Sequence, residues 1–204
     1  MAKDSPASLS PNPRRRRRTP DEARTEALAC ARRLLLAHGP DGVTLQAVAR
    51  ELGVTHGNLI HHFGSAAHLQ SALMGLMVKD LAVALESAVE HVRSDQTAAR
   101  TLVDIMFDAF DSGGAGALAA WIALSNRYEH LEPVREAVSE LVAAVDDKIA
   151  AAGGESARQI PSALLFITLC AFGDALIGPP LRDMLGRDPD AVRRLAARLL
   201  PAIL

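Results

Sequence analysis

The stretch TLQAVARELGVTHGNLIHHF, residues 44–63, decides how this chain is read. Thr44 stands as a helix cap ahead of Leu45 to Leu52, where Leu45, Val48, Ala49 and Leu52 recur at the three- and four-residue spacing of one helical face. Gly53 is free to take a positive φ and close a tight turn. Thr55 then caps a second short helix, His56 to Phe63, with Leu59 and Phe63 directed inward. Two short helices joined by a glycine-containing three-residue turn form a helix-turn-helix, whose second helix enters the major groove of DNA.

Working outward, the preceding helix has a clear start: Thr19 as cap, Pro20 at the first helical position and Glu22 completing a capping box. Ala23, Ala27, Cys30, Ala31, Leu34 and Leu35 form its apolar stripe, and Gly39-Pro40-Asp41-Gly42 ends it near His38. Before it, residues 1–13 carry three prolines and three serines and read as disordered, followed by an unbroken run of Arg14, Arg15, Arg16, Arg17 and Arg18. Downstream, Gly64-Ser65 ends the motif, and Ser65 can cap a long helix from Ala66 to about Arg93. Amphipathic helices are expected at about 97–111, 117–129, 133–152, 161–177 and 189–203, broken by Gly113-Gly114, Glu132-Pro133, Gly153-Gly154 and Gly178-Pro179-Pro180, with Asp188-Pro189 starting the last. The expectation is an all-α chain of about nine helices: a basic arm (1–18), a three-helix head with the helix-turn-helix (19–65) and a helical bundle (66–204).

Composition agrees. Of 204 residues, 49% are hydrophobic, and Ala and Leu alone supply 65. The longest uncharged apolar stretch, Gln159 to Gly173, is 15 residues, short of the roughly 20 that span a bilayer. No apolar signal core opens the sequence, so a cytoplasmic protein is expected. Cys30 and Cys170 lie in apolar helical patterns and suit reduced core thiols. The net charge of −2 conceals an uneven distribution: residues 1–70 hold ten Lys/Arg against six Asp/Glu, a balance of +4, and the remainder is at −6. A basic first third points to a polyanionic partner there.

From Gly39 to Leu69 the sequence resembles the head of the tetracycline-repressor (TetR) family of bacterial transcription regulators, through Gly42, Thr44, Val48, Ala49, Leu52-Gly53-Val54-Thr55, Gly57-Asn58-Leu59, His62-Phe63 and Leu69. The resemblance implies a DNA-binding head and a variable helical body that holds an inducer pocket and a dimer interface. It also implies phosphate contacts for Thr44 and His62. Two positions depart: the family's usual tyrosine and lysine phosphate contacts are Ile60 and Ala66 here. The five-arginine arm, entering the minor groove or lying along the phosphates, is expected to compensate in part.

Within the second helix of the motif, His56 and Asn58 are the candidate base readers, Asn being suited to adenine, and Gly57 permits close backbone approach. Gln46 and Thr55 complete the expected DNA-contacting set. His61 is expected to pack on the first helix. The adjacent His61 and His62 diverge by about 100° on a helix and have no ligand-spaced Cys or carboxylate beside them, so no metal is expected. In the body, Trp121, Leu124 and Tyr128 share one face and, with Asn126, Met106, Phe107, Phe110 and His91, form the candidate ligand cavity. Asp104, Asp108 and Asp111 read as a solvated face. The 161–177 helix is apolar nearly all round, so a second copy is expected to cover it, through Leu165, Phe166, Leu169 and Phe172 with Leu195 and Leu199 of the last helix.

The sequence therefore points to a homodimeric DNA-binding regulator, a repressor released from a palindromic operator by a small molecule. A dimer without an inducer is the alternative. No cofactor is implied, and no nucleophile–base–acid set, phosphate-cradling glycine loop or HExxH-like helix points to an enzyme or, less directly, to a helical carrier.

Overall fold

Capping residues fix where the first helices begin. The computed structural model describes residues 19–91, 95–126, 131–151 and 159–203, with the side chains of 89–91, 95–98 and 148–151 outside that description. Helix α1 (Pro20–His38) opens on the expected capping box: the Thr19 hydroxyl accepts the Glu22 N–H at 3.2 Å and the Glu22 carboxylate accepts the Thr19 N–H at 2.8 Å. A 3-10 turn (Pro40–Gly42) leads to α2 (Leu45–Leu52) and α3 (His56–Phe63), joined at Gly53, whose φ of 64° is the left-handed value that favours glycine. There follow α4 (Ala66–His91), α5 (Asp95–Phe110), α6 (Ala115–Leu124), α7 (Glu132–Ala151), α8 (Ile160–Met184) and α9 (Ala191–Leu199), then a 3-10 turn (Leu200–Ala202). Among the described residues there are nine α-helices and no strand, so the chain is all-α.

Two apolar clusters build the molecule. The first joins α1, α2 and α3 to Leu69, Leu73 and Met77 of α4 and to Ala115, Leu118 and Ile122 of α6. The head therefore completes its core with residues beyond position 65. The buried amide of Gln70 donates to the Val43 carbonyl at 3.1 Å and fastens α4 to the loop before α2. The second cluster gathers Leu81 and Leu85 of α4 with Val103, Met106 and Phe107 of α5, Leu141 of α7, Ile167 and Ala171 of α8, and Ala196 of α9. Phe110 packs against both.

Two boundaries differ from expectation. Helix α8 does not stop at Gly178-Pro179-Pro180 but runs through both prolines. Both are exposed, and proline is tolerable in a helix where water can serve the carbonyls it leaves unpaired. Asp174, which bounds the uncharged stretch in the sequence, pairs with Arg182 of the same helix across Gly178. The result is a 25-residue helix long and apolar enough, by length and composition alone, to cross a membrane. Helix α9 begins at Ala191, with Asp190 before it and no side-chain cap, rather than at Asp188-Pro189. The Asp188 carboxylate instead accepts the Asp190 N–H at 3.0 Å and binds Arg194.

Candidate nucleic-acid interface

Helix α3 is held by its inner residues and leaves an outer face open. Leu59 and Phe63 are buried, and the guanidinium of Arg24 on α1 lies 4.6 Å from the Phe63 ring while donating to the His62 carbonyl at 3.0 Å. One cation thus stacks on the ring and serves an end-of-helix carbonyl that lacks an intrahelical donor. Thr55 caps α3 by accepting the Asn58 N–H at 3.3 Å, and Thr44 caps α2 by accepting the Ala47 N–H at 3.0 Å. Each hydroxyl keeps its own hydrogen to donate. Both threonines are exposed at helix N-termini, where the backbone dipole favours a phosphate.

His56, Gly57, Asn58, Ile60 and His61 of α3 are exposed, as are Thr44, Gln46 and Thr55, while His62 is half-buried. The space beside Gly57 is open: a methyl carbon added there would have no neighbour within 4 Å. His61 does not pack on α1. With Leu59 and Phe63 inward, a residue two positions after Leu59 is turned about 200° away from it, and His61 shares the outermost face with Gly57. The rings of His61 and His62 meet edge-on at 5.7 Å. No group able to hold a metal occurs among the described residues. Ile60, where the family's tyrosine would stand, is 45% exposed. Arg14 to Arg18 lie outside the described residues.

The body gathers its residues differently from expectation. Met106 and Phe107 are buried in the second cluster, but Trp121 is 38% and Leu124 86% exposed, with Asn126 also exposed, so these do not line one enclosed space. Helix α6 turns its small and aliphatic side, Ala115, Gly116, Leu118 and Ile122, to the core instead. At Gly116 an added methyl would meet the Phe110 carbonyl and the Ala175 side chain, so the close approach of α6 to α8 sets which face turns in. Tyr128 and the side chain of His91 lie outside the described residues. Two cavities lie elsewhere. One of about 630 Å³ lies between α8 and α9, and one of about 190 Å³ lies among α1, α4, α5 and α6 with Phe110 in its wall.

The acidic stripe of α5 is not simply solvated. Arg193 of α9 binds Asp108 at 2.6 Å and stacks 5.4 Å from the Phe107 ring, and Arg100 binds both Asp104 (2.8 Å) and Asp190 (2.8 and 2.9 Å). Asp111 is exposed. On α8 and α9, Leu165, Leu169, Leu195 and Leu199 are exposed, and Phe166 and Phe172 are half-buried. Cys30 is buried, whereas Cys170 is only partly so and lines the larger cavity. Burial pushes both thiols up, which disfavours the reactive thiolate.

Residues 27–73, from mid-α1 into α4, match the family model described as bacterial regulatory proteins, tetR family. Over that stretch, under a quarter of the chain, it is similar to the DNA-binding head of TetR-family regulators. The matched stretch contains the whole α2–α3 unit. Solved structures share the fold along nearly the whole length. A TetR-family transcriptional regulator from Mesorhizobium loti superposes with a TM-score of 0.61 at 18% identity, covering 92% of this chain and 98% of its own. A transcriptional regulator from Saccharomonospora viridis in complex with choline gives 0.63 at 15%, covering 89% and 96%. The regulator FadR from Bacillus subtilis in complex with stearoyl-CoA gives 0.62 at 11%, covering 88% and 98%. No curated protein sequence matches the chain significantly.

Sequence reasoning missed His61 on the outer face of α3, although the inward pair Leu59 and Phe63 already carried that signal. It also missed Arg24 as the residue that fixes α3. Arg24 lies 38 positions from His62, and no local pattern announces such a contact.

Proposed function

We propose that two copies of this chain bind a palindromic operator as a repressor and release it when a small molecule enters the body. The observation that carries the DNA half of this reading is the open outer face of α3, with unobstructed space at Gly57 between exposed His56 and Asn58. His56 and Asn58 read base edges, Gly57 lets the backbone approach, Thr44, Gln46, Thr55 and His62 serve phosphates, and the Arg14–Arg18 arm adds contacts beyond the head. On this reading residues 1–18 are the arm, 19–65 the head and 66–204 the body.

Dimerisation is supported by the apolar side of α8 and α9. Leu165 (62% exposed) and Leu169 of α8 and Leu195 and Leu199 of α9 are exposed leucines, Leu169 and Leu195 lining one cavity between the two helices, and exposed apolar surface of this kind marks an association site. A second copy placing the same face against it makes a four-helix, two-fold contact. Release by a ligand is supported by the cavities in the body and by the fold shared with regulators solved with choline and with stearoyl-CoA.

Selection of bound sequences from random DNA, repeated with His56→Ala and Asn58→Ala, tests the base-reading assignment. The expected result is an inverted-repeat consensus that relaxes at one position per half-site in each variant. An unchanged consensus in both would overturn the assignment.

A further inference from the structure

The cavity of about 190 Å³ lies where the head meets the body. Met74 and Met77 of α4, Ile105 and Phe110 of α5 and Ala115 of α6 form much of its wall, and its two charged residues are Arg32 of α1 and Asp80 of α4. These pair through Arg32 Nη1 and Asp80 Oδ2 at 2.5 Å, both side chains more than a third exposed. An apolar chamber with one ion pair beside it has the make-up of a site for an amphipathic ligand, since apolar walls take the body and a few polar groups fix the head. The pocket opens to solvent on the side of the ion pair, which gives a ligand its way in, and the two methionines give walls that adjust to an occupant.

Size and sign narrow the ligand. The volume of about 190 Å³ lies below the roughly 300–1,000 Å³ of drug-sized sites. For the head group, the planar guanidinium of Arg32 matches a carboxylate in two-pronged fashion, whereas its described contact to Asp80 runs through Nη1 alone. The start of α6 is also at the wall, and no side chain caps it, so its dipole favours an anion there over a cation.

We propose that this cavity binds a small apolar monocarboxylate, whose carboxylate takes the Arg32 guanidinium from Asp80 while its hydrocarbon body lies between α4 and α5. The consequence for DNA rests on the release reading above: Arg32 belongs to the head and Asp80 to α4, so the ligand undoes an ion pair that ties the two.

Calorimetric titration of the full-length protein with sodium octanoate, octylamine and octan-1-ol tests the site. Octanoate is expected to bind at least tenfold more tightly than the other two. Arg32→Gln should lose at least tenfold in octanoate affinity, and Asp80→Asn, which removes the competing carboxylate, should gain several-fold. A merely structural ion pair would move both variants in the same direction. Ala109→Met, filling the chamber, should abolish binding with the helical circular dichroism unchanged. No octanoate binding, equal binding of octylamine, or a matching loss in Arg32→Gln and Asp80→Asn would overturn the proposal. Operator binding measured in the same samples separates the two readings. Octanoate bound through Arg32 with operator affinity unchanged sustains the site and sinks release by this ligand. Release by some other molecule, with no octanoate binding, sinks the site and leaves release standing.

Discussion

Gly57 and Gly75 both lie inside helices, and a methyl group added to each meets opposite circumstances. At Gly75 of α4 the new carbon would stand 2.7 Å from the Pro133 carbonyl oxygen and 3.0 Å from its carbon. Backbone of another helix cannot swing aside as a side chain can. The gain of about 1 kcal/mol in helix propensity is set against an overpacking cost of roughly 1–3 kcal/mol, so Gly75→Ala is expected to lower stability by about 1 kcal/mol in a urea titration. At Gly57 no atom lies within 4 Å, so the propensity gain of up to about 1 kcal/mol stands undiminished. The same methyl projects from the face proposed above to meet DNA. Gly57→Ala should therefore melt at a higher temperature and bind the selected operator more weakly, and a variant that binds as well as the wild type would count against α3 as the groove reader.

Among the elements, α9 depends most on charge. Arg100 bridges Asp104 and Asp190, Arg193 reaches Asp108, and Arg194 binds Asp188, so a nine-residue helix is tied to α5 and to its own approach by carboxylates. The Arg194 guanidinium holds the Asp188 carboxyl down at about 2, and Arg100 holds Asp190 below the usual range. A carboxyl depressed in the folded state stabilises it fully above the unfolded value of about 3.9, and that contribution is lost as pH falls through the folded value. Hydrogen exchange in α9 should accordingly speed up, relative to α4, between about pH 4 and pH 2; protection that stays level across this window would show that the ion pairs do not hold α9. This network was hidden from the sequence because Asp108 and Arg193 are 85 positions apart, and periodicity records only that the aspartates share a face. The starts of α1, α2 and α3 were legible because a cap and its N–H lie three residues apart. The end of α8 was misjudged because the proline rule is local, whereas exposure of Pro179 and Pro180 is set by the tertiary fold. Trp121 was misplaced for a related reason: an apolar stripe does not say which of two apolar faces turns inward, and the Gly116 contact with α8 decided it.

At the scale of the whole molecule, the segregation of charge and the open apolar face act together. Joined through α8 and α9, two chains would carry two basic ends, residues 1–70 at net +4 with the five arginines of each arm supplying the excess, and two bodies of net −6 that DNA repels. Leu165→Glu with Leu169→Glu places charge in the proposed contact and should give a monomer by sedimentation, with operator affinity falling far more than a lost base contact explains, since half of the two-site binding disappears. The arms make a separate and more quantitative claim. Each phosphate they neutralise releases counterions, and log K then falls by about 0.9 per phosphate for each decade of salt. Ile60 and Ala66 stand where the family's tyrosine and lysine phosphate contacts would be, so the head alone should show a shallow slope and the arms should steepen it. Replacing Arg14 to Arg18 with glutamine is expected to flatten the salt dependence of operator binding by several units while leaving the selected consensus unchanged, because phosphate contacts position the protein and base contacts specify the site. A slope that survives the replacement would place the arms away from DNA; a consensus that changes with it would make them readers of the minor groove.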